Sequence, residues 1–493
     1  MANGGIIGTV NIPTSTTATG VWQQEEQYEA KVTDTWPQRA LFTTKSARFN
    51  DGSSDYLNRT SSSTGNKKTF TISYWCKRGN LTLGNTSTAL SSGNFSNGDN
   101  HTYVGFQLNT DTARIQNTVS GSTVMSLIST ALYRDVSAWY HFVWKVDTTQ
   151  STESDRVKLY VNGVEQTISG TYPTQNQDTF FGSDDTYRVG VRFLASATYW
   201  DGYLAEVCYV DGQALAPTSF GVANSDGVWT PIIYTGTFGT NGFNLQFENA
   251  AALGTDSSPN GNTFTVNNLT SIDQSTDYPV VNYATLNPLS QGSGITLSNG
   301  NCSYLTTGTW ESTPSTIAMS SGKFYCEFKW SPSSTGAQYM QVGVAQPSTT
   351  SSWINQYPGY TSSGYGYAWN GDKYNNASSS SYGSAWGVDS IIGVAIDMDN
   401  KKLYFHKDGT YQNSGNPTSG ATGTGALSLT GDEYYFVCSG FKNSENATIN
   451  ANFGSPPFAI SSGNTDGNGY GNFEHAVPSG YYALNTANLA EFG

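Results

Sequence analysis

Charged residues are scarce in this 493-residue chain, at 12% of the sequence, and 23 Lys and Arg are outnumbered by 37 Asp and Glu, for a net charge of −14. Binding to a nucleic-acid backbone needs a concentrated cationic surface, which this sequence does not offer. No apolar run approaches the roughly 20 residues that cross a bilayer, and no basic segment followed by an apolar stretch opens the chain. We therefore expect a protein made without Sec export, with no membrane insertion and no nucleic-acid partner.

Cysteine is also scarce. Five cysteines lie singly and far apart, and all but Cys302 fall inside apolar, strand-like runs. An odd number without metal-site spacing argues against both a disulfide framework and a zinc site. We predict buried free thiols at Cys76, Cys208, Cys326 and Cys438.

The motifs of common catalytic centres are missing. The four histidines are widely separated, and none belongs to a metal-ligand or nucleophile motif. A glycosidase on a jelly-roll scaffold would need two carboxylates on one strand face, and Glu206, near a strand end, fits a surface or turn role instead. The run Asp397-Met-Asp-Asn400 has oxygen ligands suited to calcium, but we interpret it as a hairpin turn. The sequence thus predicts no enzyme, no catalytic residue and no metal site.

Helix-forming stretches are almost absent, whereas glycine and aromatic residues are abundant, with 53 Gly, 31 Tyr, 23 Phe and 12 Trp. Glycine suits tight turns, and aromatic residues suit pleated, half-buried surfaces. Strand-like runs are bounded by turn signals such as Asn162-Gly163. The predicted fold class is all-β, with two antiparallel β-sandwich domains of jelly-roll type in tandem and a short N-terminal docking segment.

Residues 1–38 are the predicted docking segment, which contains a short helix. The segment is too small for a core of its own, so its apolar side has to pack on another copy of the chain or on a larger assembly. An arm of the first domain is the alternative. The candidate docking residues are Val21, Trp22, Tyr28 and Trp36.

Residues 39–235 are predicted to form the first sandwich, followed by an ordered connector over 236–290. A Phe-Thr-Ile-Ser-Tyr-Trp strand, a Trp-Tyr-His-Phe strand, a Leu-Tyr-Val-Asn-Gly hairpin and a closing Trp-Asp-Gly-Tyr-Leu-Ala-Glu-Val follow one another in this region. This order resembles laminin-G-like, concanavalin A-type jelly rolls. The resemblance implies glycan or protein binding. Calcium is expected only by analogy with this family, and no other cofactor is expected.

Residues 291–460 are predicted to form the second sandwich, and 461–493 a C-terminal extension. The run from Ile392 to Gly409, with Ala-Asn-Phe-Gly at 451–454, resembles the SPRY (B30.2-like) fold. Trp386-Gly-Val-Asp-Ser390 departs from the Gly-Asp that usually precedes the Ile-Gly-Val strand. The resemblance implies a recognition sandwich without catalytic machinery, whose function lies in its loops.

Aromatic residues crowd the Gly/Ser/Asn-rich part of this second domain. Aromatic faces stack on sugar rings or anchor a protein partner at low entropic cost. We predict that Tyr365, Tyr367 and Trp369 belong to the core. The candidate ligand-binding residues are exposed loop aromatics, Trp353, Tyr357 and Tyr360.

The N-terminal Gly-Gly-Ile-Ile-Gly motif, followed by these two domains, is similar to appendage proteins of tailed phages, particularly marine ones. The resemblance implies a structural virion protein such as a tail fibre, assembled in the host cytoplasm. It would contact other virion proteins through its N-terminal segment and host-surface glycan or protein through its sandwiches, as a homo-oligomer such as a trimer. The alternatives are a capsid decoration or head fibre protein and a polysaccharide depolymerase.

Overall fold

A computed structural model describes residues 43–81, 87–94, 99–107, 109–192, 198–306, 308–331, 338–347, 353–442 and 447–493. The docking segment 1–38, with Val21, Trp22, Tyr28 and Trp36, lies outside the described residues. Within the described part no helix is long and apolar enough to cross a membrane. The all-β prediction is confirmed, because antiparallel strands dominate and, among the described residues, the α-helix α1 spans only Thr486–Phe492.

The first sandwich contains strands β1 to β20. They are β1 (Ser46–Phe49), β2 (Tyr56–Thr60), β3 (Thr69–Arg78), β4 (Ser87–Asn94), β5 (Asn100–Phe106), β6 (Thr112–Val119), β7 (Ser122–Leu132), β8 (Trp139–Asp147), β9 (Val157–Val161), β10 (Val164–Gln166), β11 (Ile168–Thr171), β12 (Thr186–Val189), β13 (Val191–Arg192), β14 (Thr198–Tyr199), β15 (Gly202–Asp211), β16 (Gly221–Ala223), β17 (Trp229–Pro231), β18 (Phe243–Leu245), β19 (Thr265–Asn267) and β20 (Gln274–Ser275). Short 3₁₀ turns lie at Asp51–Ser53, Glu153–Asp155, Pro217–Ser219 and Ser271–Asp273.

Two eight-stranded antiparallel sheets face each other in this sandwich. One has the order β10-β9-β8-β3-β15-β1-β20, with β18 also paired to β15, and the other has the order β11-β7-β6-β5-β4-β12-β2-β19. Side chains alternate along each strand, so every second residue of β8 faces the opposite sheet. Those residues, Phe142, Trp144 and Val146, are fully buried in the core between the sheets.

The predicted connector is ordered, but it is part of the first sandwich. Strand β18 pairs with β15, β19 with β2 and β20 with β1, so residues 243–275 add strands to both sheets. Phe243, Leu245 and Phe264 are buried in the same core as β8. The boundary predicted at residue 235 is therefore wrong, because this segment holds the apolar side chains that close one side of the core.

The second sandwich contains strands β21 to β35. They are β21 (Ile295–Ser298), β22 (Ser303–Thr306), β23 (Glu311–Pro314), β24 (Lys323–Trp330), β25 (Gln338–Ala345), β26 (Gly364–Ala368), β27 (Asp372–Asn375), β28 (Ser378–Ser381), β29 (Ile391–Asp397), β30 (Lys402–Lys407), β31 (Thr410–Tyr411), β32 (Leu427–Ser428), β33 (Tyr435–Lys442), β34 (Ala447–Asn452) and β35 (Tyr482–Ala483). Short 3₁₀ turns lie at Gln412–Ser414 and Pro417–Thr422.

A nine-stranded and a six-stranded sheet enclose the second core. The larger sheet has the order β21-β22-β34-β24-β29-β30-β31, with β32 on β30 and β35 on β24, and the smaller one has the order β23-β33-β25-β26-β27-β28. The C-terminal extension is integral to this domain, since β35 pairs with β24. The buried Glu327 carboxylate also accepts hydrogen bonds from the backbone N–H groups of Glu474 and His475, at 3.0 and 2.8 Å.

The two sandwiches meet across a buried polar interface. Arg48, 1% exposed, donates from Nη2 to the carbonyl of Ile272 in the first sandwich and to that of Pro456 in the second, at 2.8 and 3.1 Å. The Tyr203 hydroxyl donates to the carbonyl of Gly300 at 3.1 Å. Buried groups that satisfy one another across an interface are costly to separate, so the interface holds the sandwiches together.

Candidate functional site

The loop of residues 353–363, which precedes β26, lies flat on the outer face of the six-stranded sheet. The Gln341 side chain donates to the carbonyl of Pro358 at 2.5 Å, and the Ser312 hydroxyl donates to the carbonyl of Gln356 at 2.7 Å. A Cβ at Gly366 would lie 2.3 Å from the Pro358 carbonyl oxygen, which is too close for two non-bonded atoms. The absent side chain of Gly366 therefore lets the loop approach the sheet.

Trp353 is buried at the start of this loop, at 3% exposure. It packs against Ala345 and Val437, which point outward from β25 and β33. The exposure predicted for Trp353 is wrong, because the outer face of the sheet is apolar here and Trp353 covers it. Removing this apolar surface from water stabilises the buried position of the Trp353 ring, so the ring is not available to a ligand.

Tyr357 and Tyr360, the other two candidates, lie at the surface. Tyr360 is 39% exposed and Tyr357 is half-buried. The Tyr357 ring centroid lies 5.6 Å from that of Tyr360, 5.3 Å from that of Tyr374 and 5.1 Å from that of Trp310. Burial raises the Tyr357 pKa above its ordinary value.

More aromatic rings continue this surface across the sheet. The Trp310 centroid lies 6.1 Å from that of Trp369 and 6.0 Å from that of Phe441, and Tyr339 lies 4.6 Å from Trp369. Each of these four side chains is half-buried, so part of each ring meets solvent. We refer to the whole set as the aromatic cluster: Trp310, Tyr339, Tyr357, Tyr360, Trp369, Tyr374 and Phe441.

Sequence reasoning missed several members of the aromatic cluster. Met340, Val342 and Val344 face the core, so strand alternation alone would have placed Tyr339 on the outer face. The core prediction is confirmed for Tyr365 and Tyr367, which are buried. Trp369 packs against the core with one part of its ring and joins the aromatic cluster with another.

Two arrangements in the first sandwich resemble parts of a catalytic centre: the Ser73–His141 pair and the buried carboxyl group of Glu206. His141 Nδ1 accepts a hydrogen bond from Trp229 Nε1 at 2.9 Å, so Nε2 carries the proton and donates to Ser73 Oγ at 2.8 Å. The ring therefore offers Ser73 no lone pair to take its proton, and burial lowers the His141 pKa to about 3. The hydrogen bond therefore has the wrong direction for a catalytic pair, in which the base accepts the proton of the nucleophile.

Glu206 is buried rather than at the surface, so its predicted surface role is wrong. Burial raises its pKa to about 7, and its carboxylate accepts hydrogen bonds from the Thr43 N–H at 2.8 Å and from Asn244 Nδ2 at 3.3 Å. Thr43 thereby covers the carboxylate. Glu206 therefore satisfies the backbone N–H of Thr43 and the side-chain amide of Asn244.

The Asp397 segment is a hairpin turn, as predicted. The Asp397 carboxylate accepts from the Asn400 N–H at 2.9 Å, and Asp399 accepts from the Gly322 N–H at 2.8 Å. These oxygens are engaged by the protein itself. No group of three or more His, Cys, Asp or Glu side chains is placed to hold a metal in the part of the chain that the structure describes.

Two family models match the sequence. Residues 51–219 match the laminin G-like model of the concanavalin A-like lectin/glucanases superfamily, and residues 323–456 match the SPRY domain. The chain carries a concanavalin A-like domain and a SPRY domain in tandem. The aromatic cluster lies mostly within the SPRY match. Such domains are typically binding modules, and no catalytic family is indicated.

Solved structures show local similarity to the chain. The SPRY domain of human HERC1 is 15% identical, with 34% of this chain and 96% of that chain covered and a TM-score of 0.27. A heptameric SAP-like pentraxin from Limulus polyphemus is 15% identical, with 35% of this chain and 77% of that chain covered and a TM-score of 0.27. No curated protein matches the sequence.

Proposed function

We propose that this chain is a non-enzymatic virion appendage protein that binds a host-surface glycan through the aromatic cluster of its SPRY domain. The observation that carries the proposal is the partial exposure of seven neighbouring aromatic rings on one face of the six-stranded sheet. Partly exposed rings held by their neighbours lose little entropy when a sugar ring stacks on them.

The phage part of the proposal is supported by the N-terminal Gly-Gly-Ile-Ile-Gly motif followed by this pair of domains. The segment 1–38 would attach the chain to other virion proteins, and the SPRY domain would face the host. We further propose a homo-oligomer, such as a trimer, and binding without calcium. Light scattering of the purified chain measures the oligomer, and EDTA should leave glycan affinity unchanged.

The binding proposal is tested on an array of bacterial surface polysaccharides with the full chain. Phe441→Ala removes a ring from the aromatic cluster and should weaken binding of the best glycan about tenfold. Tyr435→Ala is the matched control, because Tyr435 is a half-buried aromatic residue on the same strand and outside the aromatic cluster. Equal affinities of the two variants, or an array without any signal, would reject the aromatic cluster as the glycan site.

Position on the particle is tested by electron microscopy of phage labelled with an antibody fragment against the SPRY domain. Label at the tail or its fibres supports host recognition. Label on the capsid rejects the tail position and supports a decoration or head fibre protein, and unlabelled particles reject the virion role. Loss of polysaccharide viscosity on incubation would reveal a depolymerase instead.

A further inference from the structure

A groove opens in the SPRY domain between the β27–β28 hairpin and β32. Its volume is about 480 Å³, which is enough for a short oligosaccharide. Its walls combine hydroxyl and amide groups with apolar surface, together with a single charged residue. The lining residues are Tyr365, Lys373, Tyr374, Asn375, Ser378, Ser379, Ser380, Ala426, Leu427 and Ser428.

The groove is open because it lies at the edge of the six-stranded sheet. Strand β28 is the last strand of that sheet, and its four serines are all exposed. Lys373 is paired with Tyr367 on one side and with Ser380 on the other, so the three side chains share one face. Tyr367 is buried in the core, and Lys373 and Ser380 therefore lie on the core-facing side, just beyond the end of the core.

The charge on the walls of this groove is positive. No Asp or Glu lines it, and Lys373 forms no ion pair with any described residue. At the rim, Lys402 Nζ donates to Ser428 Oγ at 3.4 Å, which brings a second ammonium group near the wall. A chain of net charge −14 thus presents here a groove with only cationic charge on its walls.

Tyr374 connects the wall of the groove to the aromatic cluster on the other face of the sheet. That residue lines the groove, and its ring centroid also lies 5.3 Å from that of Tyr357. Tyr374 pairs with Gly366 and Ser379, so its side chain lies on the outer face of the sheet, opposite to Lys373. A saccharide chain that passes over the β27–β28 hairpin would contact both features.

We infer that the groove binds a carboxylate-bearing, acidic oligosaccharide, which continues onto the aromatic cluster. The inference rests on the proposed glycan-binding function and names the chemical class of the glycan. Lys373 Nζ pairs with the sugar carboxylate, and the hydroxyls of Ser378 and Ser380, on the same face of the hairpin, bond to ring hydroxyls. A lysine at a solvent-exposed site strengthens the binding mainly of negatively charged ligands. Salt weakens this contribution, because it screens the ion pair between lysine and ligand.

The test uses the full chain and the polysaccharide array, which contains neutral and uronate-bearing polymers. The strongest uronate-bearing binder is then titrated in its native form and after chemical reduction of its carboxylates to alcohols. We expect the array signals to fall mainly on acidic polymers and the reduced form to bind about three- to tenfold more weakly than the native form. Salt should weaken binding of the native form only.

Three variants make the test specific. Lys373→Gln should lower affinity for the native polymer about three- to tenfold and leave affinity for the reduced polymer unchanged, whereas Lys373→Arg keeps the charge and most of the affinity. Lys145→Gln, at a half-buried lysine of β8 without a described ion pair, should change neither. Unaltered thermal unfolding midpoints check that each variant is folded.

The inference and the proposed function fail in different ways. Signals on neutral polymers alone, or native binding that Lys373→Gln leaves unchanged, would overturn the acidic groove while the aromatic cluster still binds glycan. An array without signal, or binding insensitive to Phe441→Ala, would reject the proposed function itself.

Discussion

Lys77 and Asp277 form an ion pair of 2.8 Å between Nζ and Oδ2, with each side chain only 1% exposed. Lys77 Nζ also donates to Asn282 Oδ1 and to the carbonyl of Tyr283, both at 2.7 Å. Asp277 Oδ1 accepts from Trp139 Nε1 at 2.9 Å. The pair joins β3 of the concanavalin A-like domain to the chain that leads into the SPRY domain, and its remaining hydrogen-bonding groups are satisfied.

Loss of this pair should destabilise the protein. Lys77→Met leaves a buried carboxylate without its counter-charge, and we expect the free energy of unfolding to fall by about 3–5 kcal/mol. Lys68→Met is the control, because Lys68 Nζ lies 3.8 Å from Asp178 Oδ1 and both side chains are well exposed. This substitution should lower the free energy of unfolding by less than about 1 kcal/mol. Urea denaturation measures both, and similar losses would contradict the prediction.

Asp201 should make stability depend on pH. Burial raises its pKa to about 7, and Oδ1 has no hydrogen-bond partner among the described residues. Because the folded pKa exceeds the unfolded value of about 4, the stabilising contribution is complete below about pH 4 and is lost as pH rises through 7.

The measurement is the free energy of unfolding of Asp201→Asn and the native chain from pH 4 to pH 8. The native chain should lose up to about 4 kcal/mol relative to the variant across that range. Taking the difference between the two proteins removes the titration of other groups. A difference that stays constant with pH would show that Asp201 has an ordinary pKa.

Gly366→Ala should weaken glycan binding without touching an exposed ring. The added Cβ would lie 2.0 Å from Gln341 Nε2 and 2.3 Å from the Pro358 carbonyl, so the loop that carries Tyr357 has to move. We expect a loss of affinity of at least threefold and a destabilisation of about 1–3 kcal/mol. Gly387→Ala, where a Cβ meets nothing within 4 Å, is the control for both titration and unfolding. Unchanged affinity in Gly366→Ala would disconnect the loop from the binding surface.

The cysteines should be unreactive in the native protein. All five are free and buried, and burial raises the pKa of the Cys76 and Cys438 thiols. A thiol that stays protonated and inaccessible does not react with Ellman's reagent. We expect slow reaction in the native state and five thiols per chain after denaturation without reductant. Fewer than five would indicate disulfides, and rapid native reaction would indicate an exposed thiol.

Local sequence patterns were sufficient for much of the fold. The sequence predicts Tyr365 and Tyr367 of β26 as core residues, and the structure buries both. The free cysteines and the Asp397 hairpin turn were predicted correctly from spacing and neighbours. These features depend on a few consecutive residues, so a single sequence carries them.

Features that depend on distant segments were not predictable in this way. Residues 236–290 resemble a connector in isolation, but they add strands to both sheets of the first sandwich. Trp353 looks like an exposed loop residue until Ala345 and Val437 are known to need a cover. The aromatic cluster combines residues from Trp310 to Phe441, which are separated by several strands.

The sequence by itself determined that this protein is all-β and that it carries two tandem sandwiches. Alternation with a period of two encodes these properties locally. Only the tertiary structure decided which aromatic rings stay exposed and that Lys373 faces a groove without carboxylates. Exposure depends on what packs over a surface, and that cover comes from chain segments far away in sequence.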